Sequence, residues 1–238
     1  MNIALIGYGK MGKTIETLAL AKGHHIVLKI SRDNINELNI ENLKKADVCI
    51  EFTSPHTAFQ MVSACLNAGI PTVCGTTAWL NQLNEAHQIA KKNNTAFLYA
   101  SNFSLGVNLF FKINQYAAKL IGRYAQYNVT IEETHHTQKL DAPSGTAVTL
   151  AEGILNEHPS KNKWINNETP QTNELAILSH RIDPAPGTHV IRWASSIDTI
   201  ELSHTAHSRE GFAAGALIAA EFLVGKKGIF TMDDVLSV

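Results

Sequence analysis

The sequence predicts an α/β protein of two domains, a doubly wound parallel sheet and a second α+β domain built on a mostly antiparallel open sheet. Apolar runs of strand length alternate with helical patterns through roughly the first hundred residues, which is the signature of parallel strands with covering helices. A glycine-rich turn follows the first run directly. Beyond Ser104 the order changes to a long helix and then strands of alternating polarity, as half-solvated antiparallel strands show.

Taken in order, the strands of the first domain fall at residues 3–6, 25–30, 48–52, 72–74 and 96–99. Between them, 11–21, 57–67 and 80–92 space apolar residues three and four apart, and Gly23 and Gly69 stand where helix stops are needed. A helix over about 107–122 leads to a strand at 128–133, a polar loop and a helix near 146–155. The stretch 157–174, rich in Asn, Lys and Pro and without periodicity, reads as a surface loop with no chemistry. Residues 177–182, 189–195 and 199–207 alternate as strands, with Asp183-Pro184-Ala185-Pro186-Gly187 turning the first pair. A small-residue helix at 211–224 returns to the first domain, which makes the domains 1–103 with 211–238, and an inserted 104–210.

A chain of 238 residues that is 45% hydrophobic can bury sizeable cores. Lys and Arg number 20 against 21 Asp and Glu, a net charge of -1, so no broad field draws nucleic acid or anionic membranes, and neither is an expected partner. No run reaches transmembrane length. The opening Met1-Asn2-Ile3-Ala4-Leu5-Ile6 lacks the basic flank and long apolar core of a signal peptide, so a cytoplasmic location is expected. Cys49, Cys65 and Cys74 lie in apolar stretches without CxxC spacing, which suits buried thiols better than disulfides or a metal site.

Gly7-Tyr8-Gly9-Lys10-Met11-Gly12 matches GxGxxG after a strand and at a helix start, the context that makes this motif a Rossmann-like dinucleotide site. Gly7 permits the tight turn, Gly9 lets backbone approach a pyrophosphate, and Gly12 lets helix pack on strand. The carboxylate expected on the ribose is missing, because the second strand ends in Ser31-Arg32 and Asp33 comes one place late. Arg32, with Lys10, suits a 2′-phosphate, so NADPH is expected to serve at least as well as NADH. A plain glycine turn and a solvated arginine are the alternative readings. Phe52-Thr53-Ser54-Pro55, Gly75-Thr76-Thr77 and Ala100-Ser101-Asn102-Phe103 follow later strands, at the edge where such sheets bind ligands.

Residues 133–147 crowd ionisable side chains and turn formers between a strand and a helix. His135 can exchange a proton near neutral pH, Lys139 can donate one, and the helix start at Ser144-Gly145-Thr146 offers N–H and hydroxyl donors to a carboxylate. Adjacent His135 and His136 point to opposite faces if the strand continues, and no HExxH spacing is present, so no metal is expected. Glu133 and Asp141 are read as orienting the loop or pairing with Lys139. Arg209, read as belonging to the final strand, is a further supporting candidate. The bland alternative makes these residues a strand end and a helix cap.

At this loop, Glu133-Thr134-His135-His136-Thr137-Gln138-Lys139-Leu140-Asp141-Ala142-Pro143-Ser144-Gly145-Thr146-Ala147 closely resembles the signature of the 4-hydroxy-tetrahydrodipicolinate reductase family of lysine and diaminopimelate biosynthesis. The similarity extends to Gly75-Thr76-Thr77, to residues 102–108 and to residues 228–236. It implies that His135 is the proton donor and acceptor, that Lys139 is the general acid, and that His136, Gly145 and Thr146 hold the carboxylates of a cyclic dicarboxylate substrate. The resemblance further implies hydride transfer from NADPH or NADH, held at Gly7–Gly12, to 4-hydroxy-tetrahydrodipicolinate with loss of water, a homotetramer built on the sheet of the second domain, and a hinge closing over bound ligands. The six-residue glycine turn and Ser31, where many members carry an acid, depart from the family and leave the coenzyme preference open. Aspartate and homoserine dehydrogenases share the first domain's pattern, but the His-His-x-x-Lys loop argues against them. A non-catalytic dinucleotide sensor is the reading from another class, and coenzyme oxidation separates it from an enzyme.

Overall fold

The computed structural model describes residues 1–237, and the chain divides into two compact units, Met1–Leu105 with Arg209 onward, and Gly106–Ser208. In the first unit the strands are Asn2–Ile6 (β1), His25–Ile30 (β2), Val48–Glu51 (β3), Thr72–Cys74 (β4) and Ala96–Tyr99 (β5). Helices Lys10–Ala21 (α1), Ile40–Leu43 (α2), Ala58–Asn67 (α3) and Leu83–Lys92 (α4) connect them. The α1 and α3 helices stop before Gly23 and Gly69, whose positive φ of 80° and 78° suits residues without a Cβ. The predicted helix over 80–92 is broken, with a 3-10 turn at Leu80–Gln82 ahead of α4.

In the second unit, Leu105–Ile121 (α5), Asn128–His135 (β6), Gly145–Glu157 (α6), Lys163–Ile165 (β7), Glu174–Arg181 (β8), Gly187–Ala194 (β9) and Thr199–Ala206 (β10) follow. The chain then returns to the first unit as Glu210–Leu223 (α7), Gly228–Phe230 (β11) and Met232–Leu236 (α8). Arg209 is the residue capping α7 and not part of a strand, since β10 ends at Ala206.

The first sheet runs β11-β5-β4-β3-β1-β2 with every pairing parallel. Because β2 and β3 lie on opposite sides of β1, the strand order reverses there, and that switch point opens a crevice at the strands' C-terminal ends. Strands buried on both faces read as unbroken apolar runs, as Ile3–Ile6 and Val48–Ile50 do at 1% exposure or less. Two layers of packing account for this burial: Ile15, Ala19, Ala216, Leu217 and Ala220 on one side, and Met61, Cys65 and Leu43 on the other. All three cysteines are free and buried.

The second sheet runs β10-β9-β6-β8-β7 and is mixed: β10, β9 and β6 are antiparallel neighbours, while β6, β8 and β7 pair in parallel. The parallel half arises because α6 intervenes between β6 and β8, so the chain crosses over instead of turning back. One face packs Val129, Ile131, Ile177, Ile191 and Trp193 on Phe110 and Ala118 of α5 and Leu150 and Ile154 of α6. The stretch 157–174, read as loop throughout, contains β7, a three-residue strand too short to show periodicity. Lys161 beside it is buried, its Nζ donating to the Glu174 carbonyl at 2.8 Å and to Asn128 Oδ1 at 3.0 Å.

Candidate active site

The glycine turn joins β1 to α1 with Gly7 at φ 102°, and a Cβ on Gly7 would stand 2.0 Å from the Phe52 carbonyl oxygen. A Cβ on Gly12 would meet the Gly7 carbonyl oxygen at 2.4 Å, so this helix can approach its strand only with glycine there. Gly9 is different in kind: a Cβ there would meet nothing within 4 Å. It borders two cavities, of about 710 and about 370 Å³. Its backbone therefore faces open space at a helix N-terminus, the arrangement a pyrophosphate requires.

The larger cavity is bordered by Tyr8, Ser31, Arg32 and Asp33 together with Gly7 and Thr53. Arg32 opens a short 3-10 turn capped by Ser31, whose hydroxyl accepts from the Asp33 amide at 3.2 Å. The Tyr8 hydroxyl donates to Glu16, while Lys29 pairs with Glu16 at 3.1 Å and sits 4.9 Å from the Tyr8 ring centroid, pinning that side chain beside the turn. Lys10 and Met11 border the smaller cavity with Pro55, Gly75, Thr76 and Thr77.

Ala100–Phe103 follows β5, with the Ala100 amide donating to the Cys74 carbonyl at 3.2 Å, beside Gly75. Asn102 Oδ1 accepts from the Ser104 amide at 2.9 Å, turning the chain into α5. Phe103 is buried against Phe52, the ring centroids 5.9 Å apart, and a Cβ on Gly215 of α7 would stand 1.8 Å from the Phe103 carbonyl oxygen. Helix α7 reaches this loop only because that position is glycine.

In the second unit, β6 alternates Val129, Ile131, Glu133 and His135 inward, so Glu133 and His135 share one face while His136 lies just past the strand. Glu133 is fully buried and acts as a hub. Both of its oxygens accept the Ser144 amide at 3.1 Å, and Oε1 pairs with Arg181 Nη2 at 3.1 Å. Its Oε2 lies 3.4 Å from His135 Nδ1, close but not aligned for a hydrogen bond, and 3.7 Å from His189 Nε2. Burial opposes ionisation of Glu133, but Ser144, Ser179, His135 and Arg181 outweigh it and hold the carboxyl below its ordinary range.

The imidazoles respond the other way. Burial drives His135 down to about 4, against the pull of Glu133, and drives His189 down to about 3, with His135 adding to the fall. The two rings stand 5.1 Å apart edge to face, and His189 Nε2 lies 3.2 Å from Ser144 Oγ. Both are neutral at pH 7. Glu133, His135 and His189 offer ligand atoms within 4.8 Å of one another, but the Ser144 amide and the Arg181 guanidinium already occupy the carboxylate.

The loop past the strand is held from beneath. Arg181 Nε donates to the Lys139 carbonyl at 3.3 Å and Nη2 donates to the Asp141 carbonyl. Lys139 Nζ is clasped by Asp141 at 2.8 and 2.9 Å. The expected partner of Lys139 is thus Asp141, and Glu133 serves Arg181 instead. Ser144 caps α6 by accepting from the Ala147 amide at 3.2 Å, with Gly145 and the buried Thr146 in the first turn. Three participants escaped the reading of the sequence: the half-buried Arg181 and the buried His189, which lie in strands that look like ordinary sheet, and the buried Glu51 at the end of β3. His189 directly opposes Glu133 across the ladder, a register no single sequence displays.

Both halves of the chain match known proteins. Residues 1–103 match the family model described as dihydrodipicolinate reductase, N-terminus, and residues 106–236 match its C-terminus counterpart. The 4-hydroxy-tetrahydrodipicolinate reductase of Christiangramia forsetii is 49% identical over 237 residues, covering 100% of this chain and 98% of that one. That of Methanoregula boonei is 36% identical over 196 residues, 81% of this chain and 76% of the relative. A dipicolinate-bound dihydrodipicolinate reductase from Paenisporosarcina sp. TG-14 superposes with a TM-score of 0.75 at 26% identity, covering 97% of each chain. No helix among the described residues is long and apolar enough to cross a membrane. With a glycine turn fit for a dinucleotide and both halves matched end to end, the chain belongs to the dihydrodipicolinate reductase family of nicotinamide-dependent oxidoreductases.

Proposed function

We propose that this protein reduces 4-hydroxy-tetrahydrodipicolinate to tetrahydrodipicolinate, with loss of water, in lysine and diaminopimelate biosynthesis. The observation that carries the reading is the 49% identity to a reductase of that substrate over the full chain, together with the His135, Lys139 and Ser144–Thr146 loop. The first unit is the dinucleotide-binding domain and the second the domain for substrate and assembly. A bound nicotinamide coenzyme supplies the hydride accepted at C4 of the substrate. In the second unit Lys139, steadied by Asp141, is the general acid. His135 exchanges the proton at the neighbouring carbon, and the negative charge of a bound dicarboxylate raises its affinity for that proton. His136, Gly145 and Thr146 hold the carboxylates, the last two with the donors of a helix N-terminus.

On the coenzyme side, Gly7, Tyr8, Gly9, Lys10, Met11 and Gly12 cradle the pyrophosphate, Arg32 meets the ribose, and the stretches Gly75–Thr77 and Ala100–Phe103 border the nicotinamide. Arg32 and the absence of an acid at Ser31 favour NADPH at least as strongly as NADH. The assembly is a cytoplasmic homotetramer on the open face of the second sheet, where Arg192 bridges Glu132 at 2.7 Å and Glu201 at 3.0 Å.

Coenzyme oxidation followed by absorbance with freshly generated substrate tests the activity. Wild-type protein should turn over, and His135→Ala or Lys139→Ala should lose a factor on the order of a hundred or more with the fold intact. Near-normal rates in both variants would overturn the roles, and an inert wild type the activity. Arg32→Ala should weaken NADPH more than NADH, and an unchanged ratio of the two affinities would refute the ribose assignment. Light scattering should give four times the 26.0 kDa chain.

A further inference from the structure

We propose that Glu51 is a positioning residue for coenzyme binding, its buried carboxylate tying the loop after β3 to the loop after β4 through Thr53 and Thr76. The proposal rests on the coenzyme reading of the glycine turn given above. Glu51 is the last residue of β3 and has 0% exposure. Its Oε1 accepts from the Thr53 amide at 2.9 Å, from the Thr53 hydroxyl, and from the Thr76 hydroxyl at 2.9 Å. Its Oε2 accepts from Cys74 Sγ at 2.9 Å. The Thr53 amide is shared with Thr76 Oγ1 at 2.8 Å, and the Thr57 hydroxyl donates to Thr53 Oγ1 at 3.1 Å. The Thr53 and Thr76 hydroxyls are consequently oriented toward one buried acceptor, and the two loops are joined by side chains where the sheet's own ladder ends.

No cation offsets this carboxylate among the described residues, for its partners are all neutral donors. Burial pushes the Glu51 carboxyl above its ordinary range while Cys74, Thr53 and Thr76 pull it down. A carboxyl in such a place adds little to stability, since an apolar residue of similar volume commonly serves a sheet interior as well or better. What it does supply is position. The loops it joins contribute Thr53, Pro55, Gly75, Thr76 and Thr77 to the cavity facing Gly9 and Lys10. They also meet with no slack: a Cβ on Gly75 would stand 2.1 Å from the Phe52 ring. A shift of this clamp therefore moves the wall of the coenzyme site, while Glu51 itself touches neither cavity.

The test is titration of wild type, Glu51→Gln and Glu51→Leu with NADPH and NADH by coenzyme fluorescence, alongside steady-state kinetics and thermal melting. The leucine variant should bind at least about tenfold more weakly and the glutamine variant, which keeps one acceptor oxygen, about threefold, the order expected when charge-assisted bonds are weakened and then lost. KM for coenzyme should rise in parallel, with kcat at saturating coenzyme within about twofold of wild type, as for a loss of uniform binding. A merely structural role would lower the melting temperature without this split between KM and kcat. Should the leucine variant not fold, the glutamine variant decides. Equal coenzyme affinity in wild type and variants would overturn the proposal alone, whereas a wild type that binds neither coenzyme would overturn the coenzyme reading and the proposal with it.

Discussion

Glu51 and Glu133 form a natural pair: each is a carboxylate with 0% exposure near the end of a central strand, one in each unit. Glu133 keeps company with the Arg181 guanidinium and the amide at the start of α6, and its carboxyl is held below the ordinary range. Glu51 has hydroxyl, amide and thiol donors but no cation, and burial lifts it instead. Equal burial therefore has opposite outcomes, and the partners decide which. The physical reason is that desolvation penalises charge in both sites, while only a nearby opposite charge with several donors repays the penalty.

The largest expected effect separates the two sites. Arg181→Met leaves Glu133 buried without its cation and releases the carbonyls of Lys139 and Asp141, and it should cost roughly 3 kcal/mol, at the low end for a broken buried pair because the Arg181 side chain is 20% exposed. Urea denaturation followed by hydrogen exchange in the second unit measures it. A loss below about 1 kcal/mol would show that the pair is not what holds the loop.

Acid comes next. The His135 and His189 values of about 4 and about 3 lie below the unfolded value of 6.5, so their contribution is fully present above pH 6.5 and is lost as pH falls toward those values. The groups facing these rings are Glu133, Lys139, Asp141, Arg181 and His204. At up to about 1.4 kcal/mol per pH unit per group, a slope reached only well below pH 6.5, the second unit should lose on the order of 2 kcal/mol between pH 6.5 and 5.5. His189→Gln should remove about half of that slope, and an unaltered slope would exclude His189 as a source.

The smallest effect sharpens the contrast most. A raised folded-state value means that the Glu51 contribution is present below its unfolded value and is lost as pH rises, the reverse of Glu133. At pH 8, Glu51→Gln should leave the first unit unchanged or more stable by up to about 1 kcal/mol, and Glu133→Gln should destabilise the second by about 2 kcal/mol. Thermal melts of the two variants at that pH decide it, and equal losses would erase the distinction.

How far the sequence reaches can be judged residue by residue. The glycine turn was legible because Gly7, Gly9 and Gly12 stand at fixed offsets after a strand, Gly7 and Gly12 under local sterics and Gly9 where backbone faces open space, and the strands of the first unit because a sheet buried on both faces needs unbroken apolar runs. His135, His136 and Lys139 stood out because their loop is contiguous. Strand β7 did not, since Lys163–Ile165 is too short for a period, and Arg181 did not, since its partners lie 40 to 48 residues away.

The amino-acid sequence by itself determined the α/β class, the dinucleotide turn and the family, all of which depend on neighbours along the chain. Only the tertiary structure decided that Lys139 pairs with Asp141 while Glu133 binds Arg181 and faces two neutral imidazoles, and that Glu51 joins two loops. Those facts depend on strand register and on burial, and both are set when distant segments come together and water is excluded from between them.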